Sequence, residues 1–369
     1  MDTQAFQNAT TERAERVLMN RPNIPSIELP TDENITRAVA WLRAGEPIGL
    51  PTETVYGLAA DASNGDAVSK IFSAKGRPVD HPLIVHVASA ESAKTWAADW
   101  PEAAEKLANA FWPGPMTLIV KRAAHVIDAV TGGQDTVGLR VPSHPVAQAV
   151  LKLFSSKHRG LAAPSANQFG QVSPTTAAHV AAEFPDRLLM ILDGGACEVG
   201  VESTIIDVSG ETVRVLRPGR VRAGEIEQVL GTSLGEMSED ALRAESPGTL
   251  RVPGALASHY APKTQTLMLA TARLKMQLRA FRQAQDRGPM RCVITHSFDA
   301  EPAERVRVIR LAADAETWER ELYALLRALD EERYGTLIIE APPETPDWDA
   351  VNDRVKRATQ RDAEENITA

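Results

Sequence analysis

Four short runs of this 369-residue chain combine cations, hydroxyls and small residues at spacings that suit an anionic ligand. In Lys75-Gly76-Arg77-Pro78, two cations stand two residues apart on a Gly-Pro turn. Such a turn leaves both free to converge on one anion, which arginine can grip at two points. Without a ligand, the same pair would complement the negative end of a helix dipole. The run APSANQFGQVSPTT leaves a strand through small residues, where Ser165, Asn167 and Ser173 form either an oxyanion or phosphate nest or a capped turn. In DGGACEVGVESTIIDV and the RPGR that follows, Gly194 and Gly195 permit close backbone approach, and Ser203, Thr204 and Arg217 add polar contacts. PTETVYGL places Thr52, Glu53, Thr54 and Tyr56 directly after an apolar run, where α/β sheets present ligand groups. Arg140, inside the apolar GLRVP, needs an anionic partner, because an unpaired charge in a core costs several kcal/mol. That partner is either an internal carboxylate or the carboxylate of a substrate.

The common motifs are missing. The chain has no GxxxxGK[ST] phosphate loop, no GxGxxG fingerprint and no HExxH pair, nor a GxSxG elbow. Its two cysteines, Cys197 and Cys292, lie far apart with no CxxC spacing, which argues against a disulfide framework or cysteine zinc site and suits a reducing compartment. Cys197 reads as a small turn residue, His86 as an ordinary strand residue and Trp112 as a packing anchor. Charged residues make up 24% and apolar residues 43% of the chain, an ordinary globular balance. The formal charge of −9 disfavours a dedicated nucleic-acid coat. The opening residues lack the apolar run of a signal peptide, and no stretch is long and apolar enough to span a bilayer. A cytoplasmic protein is expected.

The elements that must position these groups alternate between helical and strand periods. ITRAVAWLRAG reads as a helix ending at Gly45, and NGDAVSKIFSAKG as one capped by Asn64 and stopped at Gly76. PIGLP, PLIVHV, PMTLIV, TVGLRV, LLMILD, STIIDV and VRVLR are strand candidates between Gly and Pro signals. Interleaved strands and helices predict an α/β unit with a mixed sheet. The stretch from SLGEMSED to ASHYAPKT is rich in Gly, Pro and Ser and reads as a linker; long structureless loops are uncommon unless functional. A second α/β unit follows, with strands TLMLA, RCVITHS, VRVIRLA and TLIIEA. In its helix TWERELYALLRALDEE, Trp318, Leu322, Leu325, Leu326 and Leu329 share one face. The domain boundaries expected are 1–31 for an N-terminal extension, 32–235 for the first α/β domain, 236–263 for a linker or lid, and 264–369 for the second.

Taken in order, PTETVYGL, IFSAKGRPVDHPLIVHV, FWPGPMTLIV, VGLRVPSHP, APSANQFGQVSPT, DGGACEVGVESTIID and LRPG resemble the threonylcarbamoyl-AMP synthase family, over about residues 32–230. ASHYAPK and the smaller α/β unit after it are similar to the long two-domain form. The resemblance implies a twisted mixed-sheet, YrdC-like catalytic domain with a smaller Rossmann-like C-terminal domain. It implies a nucleotidyltransferase that makes threonylcarbamoyl-AMP and pyrophosphate from L-threonine, bicarbonate and ATP. A separate enzyme complex then transfers the threonylcarbamoyl group to tRNA, so direct tRNA contact is not required. Mg²⁺ is implied as the counter-ion of ATP, with ligands the sequence does not identify.

Carried over by position, Thr52 and Ser203 contact threonine, Arg140 holds its carboxylate, and His81 approaches it from the loop after KGRP. Lys75, Arg77, Ser165, Ser173 and Arg217 handle ATP, with Thr136 nearby and Asn167 as turn scaffold and phosphate contact. Lys75 and Arg77 carry the catalytic burden, since both reactants are anionic and attack needs charge screening more than a covalent nucleophile. Tyr260 touches the nucleotide if the linker closes as a lid that excludes water.

Three other readings compete. A double-stranded RNA binder of the same fold would need cations tracking phosphates, but residues 30–225 hold 18 Lys/Arg against 21 Asp/Glu, a net of −3. A carbamoyl-phosphate-dependent adenylation would come with upstream cysteine-rich modules, which the sequence lacks. The C-terminal unit, with no catalytic cluster, reads as an interaction or regulatory module.

Overall fold

The computed structural model describes residues 25–154, 158–185, 188, 190–235, 250–254, 259–283 and 288–360. In the first α/β unit the strands are β1 (Ser26–Glu28), β2 (Ile48–Leu50), β3 (Gly57–Asp61), β4 (Ile84–His86), β5 (Met116–Lys121), β6 (Thr136–Arg140), β7 (Leu161–Ala162), β8 (Met190–Leu192), β9 (Thr204–Asp207) and β10 (Arg214–Arg217). They form one sheet in the order β1-β8-β2-β3-β7-β4-β6-β5-β9-β10. Its pairings are mixed: β4 runs parallel to β6 and β5 parallel to β9, while β3–β7 and β5–β6 are antiparallel.

Local chemistry explains where the helices begin and stop. The Asp32–Arg43 helix starts at Thr31, whose hydroxyl accepts from the Asn34 N–H. The Gly65–Lys75 helix starts at Asn64, whose side chain accepts from the N–H groups of Asp66 and Ala67. It ends at Gly76, with φ +62°, a left-handed cap that costs glycine nothing. That stop sets Lys75 at the helix end and Arg77 just beyond the turn. Further helices, Glu102–Phe111, Pro145–Phe154 and Ala177–Glu183, pack on the sheet through two apolar clusters.

The second unit holds β11 (Thr266–Leu269), β12 (Arg291–Thr295), β13 (Val306–Arg310) and β14 (Thr336–Glu340), all parallel in the order β11-β14-β12-β13. Helices Thr271–Gln283, Ala315–Glu331 and Asp349–Thr359 cover it. Trp318, Leu322, Leu326 and Leu329 are buried on the Ala315–Glu331 helix and Leu325 is half-buried, in keeping with its pattern. The two units share an apolar cluster in which Val55, Val172, Val199 and Val201 of the first meet Trp318, Leu322 and Tyr323 of the second.

The predicted class, a mixed sheet with a smaller parallel α/β unit, is the observed one. Two elements depart from the pattern reading. The expected N-terminal extension ends in β1, which pairs with β8. Strand β3 is GLAAD, without a single β-branched residue; all five positions are buried, so tertiary packing overrides weak propensity.

Candidate active site

Strands β4 and β6 run side by side with His86 opposite Arg140 and Ile84 opposite Gly138, so their carboxyl ends deliver an imidazole and a guanidinium to one place. The loops after β2 and β7, the segment before β9 and the end of β10 converge there too. They enclose a cavity of about 50 Å³ lined by Thr52, Arg77, Arg140, Ser165, Ser203 and Arg217, together with Thr54, His86, Glu202 and Tyr260.

The structure answers the question posed by Arg140. Its NH2 pairs with Glu53 at 2.7 Å, its NH1 donates to Thr54 Oγ1 at 2.9 Å, and its Nε donates to the Gly114 carbonyl at 3.3 Å. The internal carboxylate is therefore present, yet only Nε and NH1 donate hydrogen bonds, NH2 meeting Glu53 as an ion pair, and the fork still lines the cavity. Burial pushes the Glu53 carboxyl up, but the ion pair with Arg140 outweighs it and holds the group below the usual carboxylate range. Burial, followed by the charge of Arg140, brings His86 down to about 3, so this ring is neutral. Its Nδ1 is buried with no protein partner.

The remaining cations are held by carbonyls. Lys75 Nζ donates to the backbone oxygens of Ser165 and Asn167, tying the Gly65–Lys75 helix to the APSAN loop. Burial, then the neighbouring Arg77, lowers the Lys75 ammonium well below its ordinary range. Arg77 donates to the Pro82 carbonyl at 3.1 Å, and burial brings it down to about 10. Arg217 donates to the Ser203 carbonyl through Nε and NH2, at 3.1 and 2.9 Å. Ser203 also shares a 2.8 Å hydrogen bond with Thr117.

The linker closes one side. Arg251 donates its N–H to Gln134 Oε1 at 2.8 Å, and Gln134 returns a bond to the Arg251 carbonyl at 3.0 Å. Arg251 also pairs with Asp80 at 3.2 Å. Beyond it, the Pro253 carbonyl accepts from Arg217 NH1 at 2.9 Å. Gly254, at φ +82°, lies so close that an added Cβ would stand 2.0 Å from the Tyr260 hydroxyl. That hydroxyl is buried and has no hydrogen-bond partner among the described residues. Residues 236–249 and 255–258 of the expected linker lie outside the described residues.

Not every expected residue faces the cavity. Lys75, Asn167 and Ser173 lie behind its wall. Asn167 donates to the Gln168 and Gln171 carbonyls, the turn scaffold expected of it, while Ser173 donates to Glu202 at 2.6 Å. Thr136 lines an adjoining crevice beneath Arg251 and Pro253. His81 is half-buried against the Phe169 ring, centroids 5.4 Å apart, and is not among the lining residues. His86 lines the cavity instead, which corrects its reading as an ordinary strand residue. Only the β4–β6 register reveals this, because PLIVHV looks like any buried strand. Glu202 was equally invisible, since its charge partner is 152 residues away. Cys197 is buried and its thiol is pushed up by burial, consistent with a turn residue. Trp112 packs against the core and donates to the Met116 carbonyl at 2.7 Å.

Residues 40–219 match the family model described as "Telomere recombination", and residues 221–360 match that described as "Threonylcarbamoyl-AMP synthase, C-terminal domain". A threonylcarbamoyl-AMP synthase of Pyrococcus abyssi is 38% identical over 326 residues, 87% of this chain and 93% of that one. The chain belongs to the threonylcarbamoyl-AMP synthase family. The Bacillus subtilis member is 37% identical over 340 residues, 90% of this chain and 94% of its own length. A crystal structure of P. abyssi Sua5 complexed with L-threonine superposes with a TM-score of 0.80 at 36% identity, covering 91% of this chain and 97% of that one. Both α/β units of this family member are thus matched in sequence and in fold. No helix of the described residues is long and apolar enough to cross a membrane.

Proposed function

We propose that the cavity joins L-threonine, bicarbonate and ATP into threonylcarbamoyl-AMP, releasing pyrophosphate. The observation that carries this reading is the convergence of Arg77, Arg140 and Arg217 with Thr52 and Ser203 on one enclosed space, in a chain that matches threonylcarbamoyl-AMP synthases along most of its length. The threonine amine attacks the bicarbonate carbon and water leaves. An oxygen of the resulting carbamate then attacks the α-phosphorus, and pyrophosphate departs with its electron pair.

Arg140 takes the threonine carboxylate with its free N–H groups while Glu53, Thr54 and Gly114 fix its plane; Thr52 and Ser203 supply short polar contacts. Arg77 and Arg217 neutralise the phosphates, and Lys75 holds the Ser165 and Asn167 carbonyls so that the loop presents its other groups. Fixed charges of this kind work best in a site closed to water.

A cavity of about 50 Å³ is far below the roughly 300–1,000 Å³ of sites that enclose molecules of this size. The segment 250–254 must therefore lift to admit ATP, breaking the Arg217–Pro253 contact, and can close again afterwards. Tyr260, with its unpaired hydroxyl, then meets the nucleotide. Deleting residues 246–262 should weaken ATP binding and shorten product lifetime; if neither changes, the lid reading fails.

Among the described residues, no group of three or more His, Cys, Asp or Glu side chains could hold a metal. We take Mg²⁺ to arrive on the ATP phosphates as part of the substrate. We place the protein in the cytoplasm, supplying a separate tRNA-modifying complex. The alternative of an RNA-binding module is not favoured, since residues 30–225 carry a net charge of −3 and the buried cations Arg77, Arg140 and Arg217 face a small cavity.

The test is pyrophosphate release by the purified protein with ATP, bicarbonate and each amino acid in turn. Release that needs threonine and bicarbonate together is the expected result; release indifferent to the amino acid refutes the reading.

A further inference from the structure

Glu202 lines the cavity, and its carboxylate is shared between the two α/β units. On one side Ser173 donates to Oε1 at 2.6 Å. On the other, the Tyr323 hydroxyl and Arg354 Nε, both from the C-terminal unit, donate to Oε2 at 2.9 and 2.8 Å. Arg354 is wholly buried; it also donates to the Pro218 carbonyl at 3.0 Å and lies 5.3 Å from the Tyr260 ring centroid. Two further contacts clamp the same loops. Gly200 is packed so tightly on the Ala315–Glu331 helix that a Cβ would come within 2.5 Å of its backbone. Glu319 pairs with Arg220 at 2.9 Å and with Arg222 at 2.5 Å.

We infer that Arg354 and Tyr323 are positioning residues for the ATP side of the site, acting through Glu202. This rests on the proposed reaction only in taking Arg217 and Tyr260 as nucleotide contacts, with Ser173 behind the wall holding Glu202 from the N-terminal side. The physical argument starts from charge. A carboxylate at the wall of a pocket that takes a triphosphate repels its ligand unless a cation neutralises it. A buried ion pair is no proof of added stability, but removing one partner leaves the other charge uncompensated. Arg354, which also pairs with Asp353 at 2.6 Å, supplies neutralising charge from outside the catalytic sheet, beside that of Arg217 within it. With its O–H committed to Glu202, Ser173 keeps its oxygen in a fixed place.

The threonine side is held mostly from within the N-terminal unit, the C-terminal unit reaching it only through the Gly200 packing and a 3.5 Å contact from Arg354 NH2 to the Glu202 carbonyl. Ser203 is held by Thr117 and Arg217, and Arg140 by Glu53, Thr54 and Gly114, all within the N-terminal unit. Loss of the C-terminal contacts should therefore fall on ATP and spare threonine. The C-terminal domain, in this account, holds one half of the active site in register.

The test compares full-length Arg354→Met, Tyr323→Phe, and Arg354→Met combined with Glu202→Gln. Each is measured for binding of α,β-methylene-ATP, for the KM of ATP and threonine in turnover, and for cooperative melting. Arg354→Met should weaken ATP binding about ten- to hundredfold, the scale of a lost bond to a buried charge, and move the threonine KM less than about twofold. Tyr323→Phe should show the same split at about three- to tenfold. The double variant should recover most of the ATP affinity, because the stranded charge is gone. Wild-type ATP binding by a folded Arg354→Met protein overturns the inference. So do equal losses on both KM values with no recovery in the double variant, the signature of a merely structural contact. If Arg354→Met does not fold, the Tyr323→Phe split decides. The analogue-binding arm needs no turnover, so it stands apart from any failure of wild-type threonine-dependent pyrophosphate release.

Discussion

Two regions of this molecule bury a glutamate and a histidine near strand ends among hydroxyl side chains, and they treat them in opposite ways. At the end of β14, Glu340 accepts from Thr271 Oγ1 at 2.7 Å, from Ser297 Oγ, and from the N–H groups of His296 and Ser297 at 2.8 and 3.1 Å. Burial pushes its carboxyl up, yet these donors outweigh burial and hold it below the usual range. In the cavity of the first unit, by contrast, Arg77 Nε, His86 Nδ1 and the Tyr260 hydroxyl are buried without hydrogen-bond partners among the described residues. Buried polar groups are nearly always paired. The donors around Glu340 thus complete a fold, while unpaired groups gathered on one cavity wall suit a ligand; single unpaired atoms such as Thr295 Oγ1 and Trp96 Nε1 lie outside that cavity. Residue type alone does not separate the two.

The sharpest way to break this contrast is to remove a cation at the unsaturated wall, Arg77, or the one braced behind it, Lys75. Lys75→Ala or Arg77→Ala should reduce threonine-dependent pyrophosphate release by at least about 10²–10³, with the fold retained. Near-normal release by either purified variant removes that role. Tyr260→Phe, which deletes only the unpaired hydroxyl, should weaken ATP binding by about two- to tenfold in a titration, the worth of one neutral hydrogen bond. A null effect would mean that the hydroxyl meets no nucleotide.

The saturated region should respond in stability instead. Glu340→Gln is expected to cost about 1–3 kcal/mol in denaturant unfolding while kcat/KM stays within about twofold at a temperature where the variant is folded. A loss of turnover there would erase the distinction between the regions. The smallest effect concerns acid. Burial raises the Glu202 carboxyl, but Arg354 and Arg217 outweigh it and bring it down to about 2. A folded-state value below the unfolded one stabilises above the unfolded value and is lost as pH falls through the folded one. Melting temperature should thus decline between about pH 4.5 and 2, and Glu202→Gln should flatten part of that decline.

Much of this was legible in the chain because short-range chemistry decided it. Asn64 and Gly76 bracket their helix as the pattern predicts, and the stop at Gly76 alone places Lys75 beside Arg77. Arg140 announced its need for a partner, since a lone guanidinium in an apolar strand has few solutions. What stayed hidden was non-local. His86 faces the cavity because of how β4 and β6 align, and the dependence of Glu202 on Arg354 spans 152 residues. The GLAAD strand was hidden for a related reason, as burial on both sides replaced the usual β-branched signal. Local rules fixed the cations; the register of distant strands decided which of them face inward.

The central claim, that one enclosed cationic cavity unites a threonine carbamate with ATP, is tested most directly by isotope tracing. The protein is incubated with ATP, threonine and ¹³C-labelled bicarbonate, and the adenylate is weighed by mass spectrometry. A nucleotide carrying threonine plus one labelled carbon is the result this account predicts. An unlabelled threonyl-adenylate, or label without threonine, would contradict it.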